Sequence, residues 1–515
     1  MPTQFTPTET LIILDYGSQF TQLIARRLRE LGTYSLILPY STTTEKIKSH
    51  SPKGIILSGG PNSVYDKRAP HLNKEILDLG VPILGICYGL QLLAKHLGGK
   101  VEPSDTREYG RAKLAITNTG KLLSKKMDGS QIWMSHGDHV ADVPKGFVLT
   151  AKSEGIICGI EDPKRHIYGL QFHPEVTHSK QGSAVLATFL NICGFARNWS
   201  AASLIDEQIA AIKQAVGNHN VVCALSGGVD SSIAATLVDR AVGRQQTCIF
   251  VDTGLLRQNE YEEVLAIYKQ TGLHVKPIRA SKQFLGKLQG VTDPEKKRKI
   301  IGAEFITIFE AEAKKLKDVQ FLVQGTLYPD VIESVSIHGS SVTIKSHHNV
   351  GGLPERMHLK LIEPLRDTFK DEVRVIGATL GLPPAVVQRQ AFPGPGLAVR
   401  IVGEVTPARI KLLQQADAIV RHEIEAIPDV RKNLFQYFAV LLPIKSVGIM
   451  GDGRTYEHAI AIKAFHSDDV MTADWARLPY DLLARMSSRI VSEVKGINRV
   501  VYEITTKPPA TIEWE

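Results

Sequence analysis

Residues 220–234 read NVVCALSGGVDSSIA. An apolar run, a turn of small residues holding one aspartate, and an apolar, helix-like segment follow one another. Strand, turn and helix in that order make the unit of a doubly wound parallel sheet, where ligands bind at the strand ends. Gly227 and Gly228 let backbone approach an anion, while Ser226, Ser231 and Ser232 set hydroxyls around Val229 as the helix begins. Successive N–H groups there form an anion nest reinforced by the helix dipole. The spacing is not Gly-x-x-x-x-Gly-Lys-Ser/Thr, so a Walker-type grip on terminal phosphates is not supported. Asp230 would repel a bare anion, but it makes sense if Mg2+ bridges it to phosphate. Taken alone, Ser-Gly-Gly is equally an ordinary tight turn.

Outward from this stretch the pattern divides the 515 residues into three segments. Residues 198–390 continue with TCIFVDTG, HVKPIRA and VQFLVQGT, each strand-like run separated from the next by a helical stretch, as in a doubly wound sheet. Residues 1–197 repeat the alternation with TLIILDYGS, GIILSGGP and VPILGICYG, predicting a second mostly parallel α/β sheet. Residues 391–515 begin at the rigid turn AFPGPGLAVR, carry the long helical stretch TPARIKLLQQADAIVRHEIEAI, and read as α+β. The polar RNWSAASL marks the first boundary.

Bulk properties narrow the class. No run of about 18 apolar residues occurs, so no membrane span is read, and the first residues lack the pattern of a secretory signal. Five cysteines, none in a Cys-x-x-Cys pair, argue for a reducing cytoplasm and against a disulfide framework or zinc ribbon. The formal charge is +8, yet the densest basic run, DPEKKRKIIG at 293–302, is short and contains acids. It reads equally as a solvated helix face or a site for small anions such as nucleotides. A nucleic-acid binder would gather the excess into a stripe.

A second candidate site lies in the first segment. Cys87 stands between the strand VPILGI and the helix LQLLAKHLGG, on a turn where N–H groups and the helix dipole favour a thiolate. In GLQFHPEVTHS, His173 and Glu175 are two apart, and in extended backbone they point the same way, so the carboxylate can orient the imidazole. Nucleophile, base and orienter are what acyl transfer needs. In LSGGPNS, Gly59 and Gly60 could donate backbone N–H groups, with that of Tyr88, to an oxyanion. His136 and His139 in SHGDHV lack a third separated ligand for zinc and read as a loop shaping a substrate pocket.

These three motifs, in this order, resemble the class I glutamine amidotransferases. The resemblance implies a Cys87 thioester with the glutamyl group of glutamine, release of ammonia, His173 as general base and acid, and Glu175 as its orienter. Ser226 to Ser231 likewise resembles the pyrophosphate loop of the N-type ATP pyrophosphatases, which cleave ATP between the α and β phosphates and adenylate a substrate oxygen. It implies an adenosine seat at FVDTGLLR, including Val251, and Mg2+ ligation by Asp230. QGTLYPDVIES would present Asp330 as a second Mg2+ contact.

Among glutaminase–adenylase combinations, the chain differs from asparagine synthetases, whose glutaminase uses an N-terminal cysteine where this chain reads Met-Pro-Thr. It lacks the nitrilase-like glutaminase of NAD synthetases and the paired cysteines of tRNA-thiolating enzymes. KSHHNVGGLP, AFPGPGLAVR, QYFAVLLP, SVGIMGDGRTYE and KPPATIEWE resemble the glutamine-hydrolysing GMP synthetase family. That family converts XMP, ATP, glutamine and water to GMP, AMP, pyrophosphate and glutamate. The resemblance implies XMP contacts at Arg298, Gln436, Lys507, Ile512 and Glu513, a lid bearing Lys345, and a homodimer formed by residues 391–515. Adjacent His347 and His348 would point apart in a strand and do not read as a metal pair. Without the resemblance the C-terminal tail would be read as frayed. The competing class, an RNA-binding or tRNA-modifying adenylating protein, has neither a basic stripe nor RNA-binding aromatic motifs in its favour.

Overall fold

Among the described residues, ten strands up to residue 170 build the sheets of the first unit. They are β1 (Thr10–Asp15), β2 (Ser35–Pro39), β3 (Pro52–Leu57), β4 (Ile83–Ile86), β5 (Lys100–Lys113), β6 (Ala115–Ile116), β7 (Gln131–Asp142), β8 (Val148–Ser153), β9 (Ile156–Asp162) and β10 (Ile167–Leu170). The structure, a computed structural model, describes residues 9–328, 330, 359–450, 453–467 and 472–515. They fall into two compact units, divided between Leu204 and Ile205.

The main sheet of the first unit runs β2-β1-β3-β4-β10-β9-β8-β6. Its first five strands pair in parallel, and β9, β8 and β6 extend it by antiparallel pairing. All six residues of β1 are buried, the uninterrupted apolar pattern of a strand covered on both faces. A ribbon of β5 and β7 lies outside this sheet. The antiparallel extension is the part that the expectation of a mostly parallel sheet left out.

The second unit holds β11 (Asn220–Leu225), β12 (Gln246–Asp252), β13 (Val275–Arg279), β14 (Val319–Val323) and β15 (Lys360–Ile362). They form an all-parallel sheet in the order β13-β12-β11-β14-β15. The chain leaves β11 toward one side and later returns to its other side as β14. Strand order therefore reverses at β11/β14, which opens a crevice at the carboxyl edge. Cys223 and Cys248 face each other in register on β11 and β12, both buried, as their apolar context predicts.

Beyond Arg400 come β16 (Gln436–Met450), β17 (Gly453–His466), β18 (Asp474–Trp475) and β19 (Ile497–Tyr502), a mixed sheet joined through β17. One hydrophobic core runs from Val222 and Ile249 of the parallel sheet through Leu397 and Leu413 to Ile462 and Ile497 of the last sheet. The Pro/Gly turn is built into this core: Leu397 N–H donates to the Leu255 carbonyl at 2.8 Å.

The basic run of 293–302 lies on the helix Pro294–Ala313, which Asp293 caps by accepting from Lys296 N–H at 2.8 Å. Its face is not uniformly solvated. Lys296 and Lys299 are exposed, but Lys297 is fully buried.

Candidate active sites

Cys87 is the last residue before the helix Tyr88–His96 and has φ 53° and ψ −105°. Its N–H donates to the Leu170 carbonyl at 2.7 Å, and its carbonyl accepts from Gln91 N–H at 3.1 Å, so the turn is tied at both ends. The side chain is buried. Its Sγ donates to the Ser135 carbonyl across 3.6 Å and accepts from Gln171 Nε2 across 3.7 Å.

His173 approaches this sulfur from the segment after β10. Its N–H donates to the Trp133 carbonyl at 3.0 Å, its carbonyl accepts from Ser179 Oγ at 2.6 Å, and the Phe20 ring packs edge-on 5.0 Å away. Nδ1 meets Glu175 Oε1 at 2.7 Å, with both side chains buried. Burial alone would discharge the ring, but the Glu175 carboxylate and the Cys87 sulfur outweigh it and raise His173 to about 10. The carboxylate and the sulfur thus favour the protonated form of the ring. Neighbouring His136 goes the other way: burial first, then the charges of His139 and His173, lowers it to about 4, so it is neutral.

Gly59 lies against the His173 ring, and Gly60 against Tyr16 and Tyr88. A Cβ on Gly59 would stand 3.2 Å from His173 Cε1, and one on Gly60 would stand 2.7 Å from the Tyr16 carbonyl oxygen and 3.3 Å from the Tyr88 ring. Only glycine fits at 60. Cys87, Tyr88, Gly59, Gly60, His173 and Glu175 are thus brought together, and Gln171 and the Ser135 carbonyl join them.

In the second unit, Gly228 is the N-cap of the helix Val229–Val242, directly after β11. Gly227 has φ 75°, and its carbonyl accepts from Arg389 Nη1 at 2.7 Å. Ser226 Oγ meets Ser231 Oγ at 2.9 Å and accepts from Gly228 N–H at 3.2 Å. Ser232 Oγ donates to the Gly228 carbonyl at 2.7 Å and contacts Tyr268 Oη at 2.8 Å, which makes it a strut rather than an open donor. Val251 is buried near the end of β12.

Asp230 opens the helix in the crevice. Burial raises its carboxyl, Lys370 opposes this, and the charge of Asp330 adds to the rise. Lys370 Nζ is 3.6 Å from Oδ2, while Oδ1 is buried and has no hydrogen-bond partner among the described residues. Asp330 accepts from Leu327 N–H at 3.0 Å after β14, and a Cβ on Gly325 would stand 3.0 Å from the Asp230 carbonyl carbon. A buried carboxylate whose charge a second carboxylate disfavours, with one oxygen lacking a hydrogen-bond partner among the described residues, belongs to a donor set suited to a divalent cation. Lys345, His347 and His348 lie outside the described residues.

Family models match the chain in the same places: glutamine amidotransferase class-I at 12–193, NAD synthase at 203–298, and GMP synthase C terminal domain at 423–514. The chain is 54% identical over 510 residues to a glutamine-hydrolysing GMP synthase of Brachyspira hyodysenteriae, covering 98% of this chain and 99% of that one. It is also 54% identical to those of Chlorobium chlorochromatii, covering 98% and 100%, and Chlorobaculum tepidum, covering 99% and 100%. The chain belongs to the glutamine-hydrolysing GMP synthase family. The NAD synthase match covers the strand–loop–helix unit of the second segment, the part in which an adenylating fold was read.

Within this family member, the residues expected at XMP are distributed around a docked C-terminal tail. Lys507 and Ile512 line one small cavity with Lys463, Phe465 and Trp475. Glu513 is engaged by both oxygens with Arg400 Nε and Nη2, each at 2.9 Å. Arg400 is fully buried, its guanidinium 3.8 Å from the centre of the Phe438 ring. Arg298 Nη2 donates to the Glu515 carbonyl, and buried Lys297 pairs with the Glu515 carboxylate. Gln436 is buried with Nε2 donating to the Ala391 carbonyl at 2.8 Å. The tail is therefore not frayed, contrary to what its position alone predicts, because Lys297, Arg298 and Arg400, all earlier in the chain, hold its carboxylates and carbonyl. Lys507 and Ile512 share a wall; Arg298, Gln436 and Glu513 each hold protein partners.

Sequence reading missed Gln171, Lys370, Arg389 and Arg400, and touched Ser135 only through SHGDHV, expected as a pocket-shaping loop but found on strand β7. Gln171 had a signal, since it lies two residues before His173 in the same extended segment. The others reach their sites from distant positions and leave no local mark.

Proposed function

We propose that the chain makes GMP from XMP, ATP and glutamine, with the nitrogen released at one site and used at another. The observation that carries this reading is the identity of 54% over 98% of the chain to relatives named for that synthesis. In our assignment, Cys87 Sγ attacks the carboxamide carbon of glutamine while N–H groups of Gly59, Gly60 and Tyr88 receive the developing oxyanion. His173 carries the proton to the departing ammonia, Glu175 balances its charge, and water then cleaves the thioester to glutamate. The buried 2.7 Å contact between His173 and Glu175 supports these roles.

At the second site we assign the pyrophosphate of ATP to the loop Ser226, Gly227, Gly228, Val229, Asp230 and Ser231, braced by Ser232, with Val251 beside the adenosine. The XMP 2-oxygen attacks the α-phosphorus and pyrophosphate leaves; ammonia then adds at C2, and AMP departs with the oxygen. Asp230 and Asp330 would hold Mg2+, which when bound offsets the charge of the phosphates. We assign XMP to Arg298, Gln436, Lys507, Ile512 and Glu513, and the covering lid to the segment of Lys345. Functionally the chain divides at 1–197, 198–390 and 391–515.

We further infer a homodimer through the last segment, supported by the apolar side chains Ile444, Val447, Ile449 and Tyr456, exposed on β16 and β17. Sedimentation at micromolar concentration should give twice the chain mass; a single-chain mass overturns the inference. A cytoplasmic setting is supported by five free cysteines. Among the described residues no helix is long and apolar enough to cross a membrane.

The test of the two-site reading supplies XMP, ATP and Mg2+ with nitrogen as glutamine or ammonium. Cys87→Ala should lose glutamine-driven GMP synthesis by about 10^4-fold or more and keep the ammonium-driven reaction. Asp230→Asn should lower both by about 10^2 to 10^3. Equal loss of both nitrogen sources in Cys87→Ala would overturn the division of labour.

A further inference from the structure

We infer that Arg389 is a positioning residue for the pyrophosphate loop, deciding whether N–H groups or a carbonyl of the Gly227–Gly228 peptide face the phosphates. The inference rests on the proposed reading of residues 226–232 as a phosphate cradle. Arg389 follows the short helix Pro384–Val387 and precedes the Pro/Gly turn, far from the loop in sequence. Its Nη1 donates to the Gly227 carbonyl at 2.7 Å, and its Nη2 pairs with Glu260 Oε1. Glu260 Oε2 in turn accepts from Arg257 N–H at 2.7 Å. The guanidinium is therefore held from behind by a carboxylate that is itself pinned to backbone. Both side chains are largely buried, where charge-assisted hydrogen bonds are strongest.

A trans peptide is planar, and its C=O and N–H point in opposite directions. With the Gly227 oxygen drawn toward Arg389, the Gly228 N–H must face the other way. There it donates to Ser226 Oγ, on the exposed side of the loop. Neither residue has a Cβ to resist rotation of this peptide, and glycine accepts the backbone angles of either orientation. Rotation would turn a carbonyl toward the anion and replace attraction by repulsion. The loop thus needs glycine for the close approach, and because it uses glycine it needs an external clamp.

The experiment measures binding of magnesium pyrophosphate to the full chain by calorimetry, with KM for ATP and for XMP, in wild type, Arg389→Met and Arg389→Lys. Arg389→Met should weaken pyrophosphate and raise KM for ATP by about tenfold or more, the effect of one lost charge-assisted hydrogen bond. KM for XMP and glutaminase turnover should stay within about twofold. Arg389→Lys can reach one acceptor but not both at once, and should restore part of the affinity. Pyrophosphate binding by Arg389→Met within about twofold of wild type would overturn the inference, as would XMP and pyrophosphate weakening by one common factor. If Arg389→Met does not fold, Arg389→Lys decides: selective weakening of pyrophosphate supports the inference, and unchanged binding overturns it. Wild type is measured first. If it fails to bind pyrophosphate, the reading of the loop itself falls, which separates that failure from a failure of the clamp.

Discussion

Cys87 and Gly227 occupy the same kind of place: each stands between a parallel strand and the helix that follows it, with positive φ. At Cys87 the strained angle falls on a residue with a Cβ, at a cost of about 1–3 kcal/mol held by the surrounding hydrogen bonds. At Gly227 it falls on a residue that accepts it freely. In the roles proposed above, nucleophile for Cys87 and anion cradle for Gly227, the difference follows from the chemistry asked of each turn. A nucleophile needs its side chain at the apex, so the strain cannot be moved elsewhere. An anion cradle needs only backbone N–H groups, so glycine serves, and in our inference Arg389, which donates to the Gly227 carbonyl, holds the loop from outside. The partners differ too: the first site is closed, with His173 and Glu175 buried, while the second keeps Ser226 exposed.

The largest break in this comparison should come from the closed site. Glu175→Gln should lower glutamine-driven synthesis by about 10^3 to 10^4 while ammonium-driven synthesis is unchanged. The same variant has a pH signature. His173 is raised from 6.5 to about 10, so its contribution to stability is full below pH 6.5 and lost as pH rises toward 10. Removing the Glu175 carboxylate should flatten that slope, measured as denaturation midpoints across the same window. A slope that persists would mean that another group supplies it.

A smaller effect should come from the open site. A Cβ on Gly227 would meet only atoms at 3.5 Å and beyond, so Gly227→Ala carries a backbone cost alone, about 1–2 kcal/mol in denaturant unfolding. A loss well beyond that would show that the two turns are equally crowded and that the comparison is wrong. Because Gly60→Ala meets the Tyr16 carbonyl at 2.7 Å, it should cost more than Gly227→Ala in the same measurement.

Much of the proposed chemistry was legible because it is local. Cys87 is marked by the strand before it and the helix after it, and His173 and Glu175 by a two-residue spacing that extended backbone converts into a shared direction. The loop of Ser226–Ser232 is marked by its small residues, and the parallel sheets by alternating apolar strands and helices. Even the orientation of Gln171 was within reach of the same spacing argument.

What the amino-acid order determined by itself is therefore whatever the chain can write within one turn or one strand end. Only the tertiary structure decided which distant residues complete those turns. Arg389 on Gly227, Lys370 beside Asp230, and Arg400 on Glu513 are pairs separated by more than a hundred residues. It also decided that the basic run at 293–302 is only in part a solvated face, since Lys297 and Arg298 are turned onto the C-terminal tail while Lys296 and Lys299 stay exposed. Charges and hydrogen-bonding groups carry no address in sequence, and their partners are chosen when packing removes them from water and each must be paired.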